Sequence, residues 1–212
     1  NTKNREEEVS SELIEFSTDY SWKELKPTTL ELFNEWRERG DLGFLELPYL
    51  QELQGTTLEK ARRYSEEFDI LYVAGIGGSS LGLKAVLSAL KPRGGKVCLI
   101  DSPDSSLIRG SVEAFSGSKS ALCVITKSGG TAETLSIFME LRKHLGTRVP
   151  VVAVTDPEKG SLRKLALEKG WDSLPVPANV GGRFSVLSPV GVFPGAFAGA
   201  DMASVLAGAR VV

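Results

Sequence analysis

The sequence predicts an α/β protein in which an open parallel sheet lies between two layers of helices, with a helical segment ahead of it. From residue 70 onward, short apolar runs alternate with amphipathic stretches of helical period, which is typical of strands covered on both faces by crossover helices. Before residue 70, apolar residues recur among charges at helical spacing. Glycine-rich and hydroxyl-rich turns follow predicted strands, at the edge where such sheets hold ligands.

Five apolar runs are the predicted strands, at residues 70–74, 97–100, 121–125, 149–154 and 173–176. The helices predicted between them cover residues 81–90, 106–115, 131–145 and 161–169. Ahead of the sheet, helical spacing occurs around Val9, Leu13 and Phe16, then around residues 30–36, and more weakly at residues 58–68. Right-handed crossovers then give an open sheet.

We divide the 212-residue chain into three parts. Residues 1–68 are the helical segment, and residues 69–186 form the α/β domain. Residues 187–212 are expected to begin a truncated second domain, because a helix candidate starts near Asp201 and runs toward the last residue.

Composition argues against several function classes. The chain carries 25 basic and 27 acidic residues, a net charge of −2, so no charge excess favours nucleic acid or an anionic membrane. The apolar stretch at residues 186–200 is interrupted by prolines and is shorter than the roughly 18 residues that suggest a membrane span. The first residues are polar and acidic, unlike a signal peptide. We therefore expect a cytoplasmic protein.

The cysteines and the histidine suggest no metal site. Cys98 and Cys123 fall inside predicted strands, which favours buried, inert thiols over a disulfide. The single histidine, His144, lies in a polar stretch at the end of a predicted helix. A histidine-rich metal site or a Ser-His-Asp triad within the chain is not expected, and we predict neither a metal nor a cofactor.

The first candidate site is the run GIGGSSLG, which begins at Gly75 directly after the first strand. Glycines permit close approach of backbone to a ligand, and the N-terminus of the following helix offers N–H groups to an anion. This geometry suits a phosphorylated or sugar ligand. A ligand-free turn is one alternative. A dinucleotide site is another, since Asp101 ends the next strand, but Ser80 stands where the third glycine of that motif belongs.

The second candidate site is the run TKSGGTAET, where the third strand ends and a helix begins. Thr126, Ser128 and Thr131 supply hydroxyls, and the helix N-terminus supplies N–H groups and a favourable dipole, which together suit a phosphate monoester. Lys127 can add charge, and the order is not that of a Walker A loop. The alternative is helix capping by Ser128 or Thr131, with Glu133 complementing the dipole.

A third run, GGRFS, follows the last predicted strand. Its paired glycines allow a tight turn, and the guanidinium fork of Arg183 can then reach into a cleft. An ordinary surface arginine is the alternative. The run DPEKGS, which begins at Asp156, is interpreted as a structural turn with Ser161 as a helix cap.

Together the three runs resemble the signatures of the phosphoglucose isomerase family, in the family's order and spacing. The resemblance extends from about residue 30 to the carboxyl terminus. It implies a three-layer, flavodoxin-like α/β/α sheet of the sugar isomerase (SIS) type. It also implies the aldose–ketose isomerisation of glucose 6-phosphate and fructose 6-phosphate through a cis-enediol, as in glycolysis and gluconeogenesis, without metal or nucleotide.

The resemblance implies roles for individual residues as well. The residues of the second run would hold the substrate phosphate, and those of the first would line the sugar. Arg183 would stabilise negative charge on a cis-enediolate, and Glu133 would orient a ring-opening histidine. The predicted substrate-binding residues are Gly78, Ser79, Thr126, Lys127, Ser128, Thr131 and Gly182.

The family's general base, ring-opening histidine and lysine lie in segments that follow the arginine run, and His144 lies outside every family motif. The resemblance therefore implies a longer parent protein, a homodimer, whose C-terminal domain completes the site. The isolated chain is then expected to be inactive. Two other functions stay open: a non-catalytic sugar-phosphate-sensing SIS domain, although no basic helix-turn-helix segment is visible, and a nucleotide-binding module.

Overall fold

A computed structural model of the chain describes residues 27–211. The helix predicted around Val9, Leu13 and Phe16 lies outside the described residues. The chain divides into two compact units, Asn1–Glu35 and Trp36–Val212. Helix α1 spans Pro27–Glu38, which agrees with the helical spacing of residues 30–36.

The second unit contains a sheet of five parallel strands in the order β2-β1-β3-β4-β5. Each strand coincides with a predicted run, with its ends shifted by no more than two residues. The strands are β1 (Ile70–Ala74), β2 (Lys96–Ile100), β3 (Ser120–Ile125), β4 (Val151–Thr155) and β5 (Asp172–Pro175).

Helices cover both faces of this sheet, as predicted. One face packs against α4, α5 and α6, and the other against α2, α3 and α7. The weakly periodic stretch at residues 58–68 belongs to a longer helix than predicted. Among residues 27–211, no helix is both long and apolar enough to cross a membrane. The helices are α2 (Gln51–Glu67), α3 (Leu81–Leu90), α4 (Ser105–Glu113), α5 (Ala132–Leu145), α6 (Ser161–Lys169), α7 (Pro189–Phe197) and α8 (Met202–Ala209).

The central strands show why the chain folds in three layers. In β1, Leu71 and Val73 pack on one face of the sheet, and Ile70 and Tyr72 pack on the other. All five residues of β1 are buried, and this agrees with its continuous apolar sequence, which does not alternate with polar residues. Burial on both faces requires helices on both sides, which the crossover connections supply.

Helix α7 packs within the core. Val190, Phe193 and Phe197 are almost fully buried and join the same cluster as Leu71. The predicted division of the chain after residues 68 and 186 stays a prediction. A second domain that began at residue 187 would share its first helix with the core of this sheet.

The two thiols and the histidine lie as the sequence indicates. Cys123 is buried in β3 and Cys98 is half-buried in β2, and both are free. Burial raises the pKa of each thiol, which disfavours the reactive thiolate form. His144 lies at the end of α5, with its Nε2 3.1 Å from Oε1 of Glu140.

Candidate functional site

The first two candidate runs leave neighbouring strands at the same edge of the sheet. Strand β1 lies between β2 and β3, so the chain leaves β1 for a neighbour on one side and returns on the other. This reversal opens a crevice at the carboxyl ends of β1 and β3, where open α/β sheets hold ligands. Gly75 directly follows β1, and Thr126 directly follows β3.

Three hydroxyl groups form a triangle in the second run. Oγ1 of Thr126 lies 3.0 Å from Oγ1 of Thr131 and 3.3 Å from Oγ of Ser128, and the Ser128 and Thr131 oxygens are 3.2 Å apart. Thr126 is buried, Thr131 is half-buried and Ser128 is exposed, so the triangle opens to solvent on one side. Each hydroxyl can turn its proton toward an incoming oxyanion. We call this group the hydroxyl triangle.

Helix α5 begins next to the triangle without a side-chain cap. Thr131 occupies the N-cap position, yet its hydroxyl bonds no helix N–H in the described part of the chain. Ser128 accepts from the N–H of Gly130, which precedes the helix, at 3.3 Å. The capping alternative is therefore not supported. The first N–H groups of α5 add positive potential beside the triangle, which suits an anion.

A residue of β4, Thr155, supports the triangle, and the sequence did not predict this contact. The hydroxyl of Thr155, the last residue of β4, donates to the backbone oxygen of Thr126 at 2.7 Å. Thr155 and Thr126 are both buried, so this bond fixes the start of the second run. A polar residue ending an otherwise apolar strand was the available signal.

Gly160 packs closely against the backbone of the second run. It has φ 94°, and a Cβ at this position would lie 2.6 Å from the backbone oxygen of Ser128. Only glycine fits this backbone conformation and this close approach. Gly160, and not Ser161, takes the N-cap position of α6, so the predicted cap was wrong. The Asp156 turn itself is present, with its carboxylate accepting from the N–H groups of Glu158 and Lys159.

Lys127 extends away from the triangle. Its ammonium donates to the backbone oxygens of Ala178 and Val180, each at 2.7 Å. These residues directly precede the arginine run, so Lys127 links the second run to the segment that leads into the third. Its predicted contribution to phosphate binding stays a prediction.

The first and third runs are in direct contact. A Cβ on Gly78 would overlap the backbone oxygen of Gly182 and would lie 2.6 Å from its carbonyl carbon, so this approach needs glycine. Ser79 closes the short helical turn after Gly77, with its N–H donating to the backbone oxygen of Ile76 at 3.0 Å. The first run thus contacts the third, and Lys127 links the second run to the segment just before the third.

Arg183 lies in the short helical turn Gly182–Phe184 and is exposed. It forms no ion pair with any residue between 27 and 211. The ring of Phe184 stacks on Phe44, with centroids 4.8 Å apart, which steadies this turn. An exposed guanidinium without an acidic partner is free to meet an anionic ligand.

Two acidic residues bear on the alternatives. Glu133 is exposed in the first turn of α5, near the edge that carries the triangle. Asp101, which a dinucleotide site would use for a ribose, accepts from the ammonium of Lys84 at 2.5 Å. This pairing, together with the serine at position 80, disfavours the dinucleotide interpretation.

The strand order, with the candidate runs at the carboxyl ends of the strands, defines the class of protein, an open α/β sheet domain, and its structural neighbours have the sugar isomerase (SIS) type of this fold. The sequence model of the family described as phosphoglucose isomerase matches residues 60–212. A glucose-6-phosphate isomerase from Carboxydothermus hydrogenoformans is 42% identical over 207 residues, which cover 89% of this chain and 45% of that protein. The chain therefore belongs to the phosphoglucose isomerase family.

Two further comparisons agree. A glucose-6-phosphate isomerase from Thermus thermophilus is 40% identical over 80% of this chain and 42% of its own length. The crystal structure of a hypothetical protein from Thermus thermophilus matches with a TM-score of 0.73 and 36% identity, over 87% of this chain and 48% of that chain. The chain spans less than half the length of the curated relatives it matches.

Proposed function

We propose that this chain is the sugar-phosphate-binding part of an enzyme that interconverts glucose 6-phosphate and fructose 6-phosphate through a cis-enediol. The hydroxyl triangle of Thr126, Ser128 and Thr131 at the uncapped start of α5 is the observation that carries the proposal. The relatives are named glucose-6-phosphate isomerases, and this supports the phosphate group of a hexose phosphate as the anion that the triangle binds.

The triangle suits a phosphate monoester for a simple reason. Without a ligand its hydroxyls bond one another, so none is left unsatisfied. When a phosphate arrives, each proton can turn outward, and the N–H groups of the first turn of α5 complete the shell. Charge-assisted hydrogen bonds of this kind are about twice as strong as neutral ones.

Arg183 is the proposed stabiliser of the intermediate. Isomerisation moves a proton between carbons 1 and 2 and places negative charge on the enediolate oxygens. The guanidinium of Arg183, held on a short turn, can donate hydrogen bonds to these oxygens without first breaking an ion pair with a carboxylate. Gly78 and Gly182, whose backbones touch, would let the sugar approach closely, and Ser79 lies beside them.

The match covers less than half of each relative, so the relatives contain long segments that have no counterpart here. The general base and the ring-opening group are proposed to come from such segments of the parent protein. In that arrangement Glu133 would orient the ring-opening histidine. The parent protein would be a cytoplasmic homodimer that uses no metal or nucleotide.

A sensor without catalysis is less well supported. The sugar isomerase domain of a transcription factor from Sphaerobacter thermophilus shares the fold, with a TM-score of 0.52 but 15% identity. The isomerases share about 40% identity over most of the chain. The proposed activity therefore follows the isomerases.

The test is a coupled dehydrogenase assay of glucose 6-phosphate formed from fructose 6-phosphate. In the full-length parent, Arg183→Ala should lower kcat about 10²- to 10³-fold, as expected for a lost transition-state donor. Arg183→Lys should recover little, because an ammonium cannot reproduce the planar fork. Arg62→Ala, which removes an exposed arginine of α2, is the control and should be neutral.

The same assay tests the division of labour. The isolated chain should show no turnover while still binding 6-phosphogluconate weakly in an NMR titration. Robust turnover by the isolated chain would overturn the argument that the base is missing. A fully active Arg183→Ala parent would overturn the role given to the arginine, and an inactive wild-type parent would overturn the proposed function itself.

A further inference from the structure

The side chain of Lys127 spans two functional loops. Its backbone lies between Thr126 and Ser128, two members of the hydroxyl triangle, while its ammonium holds the backbone oxygens of Ala178 and Val180 at 2.7 Å each. The side chain is half-buried. Within residues 27–211 it pairs with no carboxylate, so carbonyl oxygens provide its contacts.

Those carbonyls belong to a segment that we call the arginine loop, residues 177–184. The loop opens with a turn in which the N–H of Val180 donates to the oxygen of Pro177 at 3.1 Å. It ends in the short helical turn Gly182–Phe184, which carries Arg183. Because Arg183 follows Val180 by three residues, the position of the Val180 carbonyl influences where the guanidinium lies.

We propose that Lys127 is a positioning residue that holds Arg183 in place relative to the phosphate site, an inference that rests on the proposed function. The backbone of Lys127 lies between Thr126 and Ser128, whose hydroxyls belong to the triangle. Its ammonium fixes the arginine loop relative to that triangle through two charge-assisted hydrogen bonds, which are present without a ligand.

This role differs from direct phosphate binding in what it should change. An ammonium on the phosphate would contribute to affinity, whereas a positioning group contributes to the rate through the residue that it places. Displacing a catalytic group by about 1 Å can cost roughly 10²-fold in rate. The two roles therefore separate in kcat and in the affinity for inorganic phosphate.

The experiment uses the full-length parent with fructose 6-phosphate as substrate and inorganic phosphate as a competitive inhibitor. Lys127→Met keeps the aliphatic stem and removes the donors, and it should lower kcat about 10- to 100-fold. The inhibition constant for inorganic phosphate should change by less than about threefold, because the triangle is intact. Lys127→Arg keeps donors and should restore part of the lost rate. Lys164→Met, an exposed lysine of α6, is the matched control and should be neutral.

A double variant identifies the residue through which Lys127 acts. If Lys127 works through Arg183, adding Lys127→Met to Arg183→Ala should slow the enzyme by less than about threefold further. If the rate losses of the two single variants multiply in the double variant, Lys127 does not act through Arg183, and the proposal is overturned. A tenfold weaker inhibition by inorganic phosphate with unchanged kcat would also overturn it, because Lys127 would then be a phosphate ligand.

Separate control experiments test whether each variant folds and whether the wild-type parent has the proposed activity. Circular dichroism checks each variant, and Lys127→Gln replaces Lys127→Met in the same comparisons if the apolar side chain prevents folding. Unchanged kcat with only a lower melting temperature would show a merely structural role and would overturn the proposal. A wild-type parent without isomerase activity would instead refute the proposed function before any variant is compared.

Discussion

Replacing Thr131 by valine tests whether the hydroxyl triangle binds a ligand or only starts a helix. Valine keeps the β-branched shape and removes one hydroxyl. Thr131 holds the N-cap position of α5, but its hydroxyl lies 3.0 Å from that of Thr126 and 3.2 Å from that of Ser128 instead of on a helix N–H. The loss should therefore appear in binding and not in stability.

The magnitude follows from the contacts. One hydrogen bond to a charged group is worth about 1.5 to 3 kcal/mol, which corresponds to roughly 10- to 150-fold in affinity. In the variant, the hydroxyls of Thr126 and Ser128 still bond each other at 3.3 Å, so none is left buried without a partner. The free energy of unfolding should change by less than about 1 kcal/mol, because Thr131 is only half-buried and its hydroxyl caps no helix N–H.

Asp104 offers the opposite control. Its carboxylate caps α4 by accepting from the N–H groups of Ser106 and Leu107 at 2.8 and 3.0 Å. Asp104→Ala should lower the urea midpoint of the 212-residue chain and leave binding unchanged. Calorimetry with 6-phosphogluconate on the parent measures the affinities. If Thr131→Val destabilised the chain as Asp104→Ala does and bound the ligand normally, the assignment of the triangle would be refuted.

Two further predictions concern the support of the site and the fold. Gly160→Ala should weaken 6-phosphogluconate binding and cost about 1 to 3 kcal/mol of stability, because φ is 94° and the Cβ would meet the Ser128 oxygen at 2.6 Å. Gly170→Ala, at φ 62° in open space at the other end of α6, should cost less and leave binding intact, and equal effects in both assays would contradict this reasoning. Burial opposes ionisation of Asp172, but hydrogen bonds from Lys60 and Tyr64 outweigh it and lower its pKa. Its stabilising contribution is therefore present above the unfolded pKa of about 3.9 and is lost as pH falls through the lower folded pKa. Asp172→Asn should lower the urea midpoint at pH 7, and this difference should shrink as the pH falls below about 4, whereas a pH-independent difference would contradict the linkage.

Much of the fold could be predicted because its signals are local. Strand β1 is apolar along its whole length, so its burial on both faces was readable from five consecutive residues. The second run carried its hydroxyls and glycines within a single loop, so the triangle of Thr126, Ser128 and Thr131 needed no distant residue. The family resemblance rested on the same local runs, and the comparisons confirm it.

Other features depend on contacts between distant parts of the chain. Lys127 meets Val180 across 53 positions, and a lysine beside a phosphate loop gives no local signal that it will turn toward backbone carbonyls instead. The contact between Gly78 and Gly182 and the support of Thr126 by Thr155 likewise arise only when separate loops meet at one edge.

The sequence by itself determined the three-layer class, the strands and the composition of each candidate run, because side-chain periodicity and backbone freedom act over a few residues. Only the tertiary structure decided that α7 packs into the core and that Thr131 leaves its helix uncapped. It alone also decided that Lys127 joins the two loops that our proposal assigns to phosphate and to charge. The physical reason is that a side chain with several possible partners takes the one that packing brings within reach, and packing is a property of the whole fold.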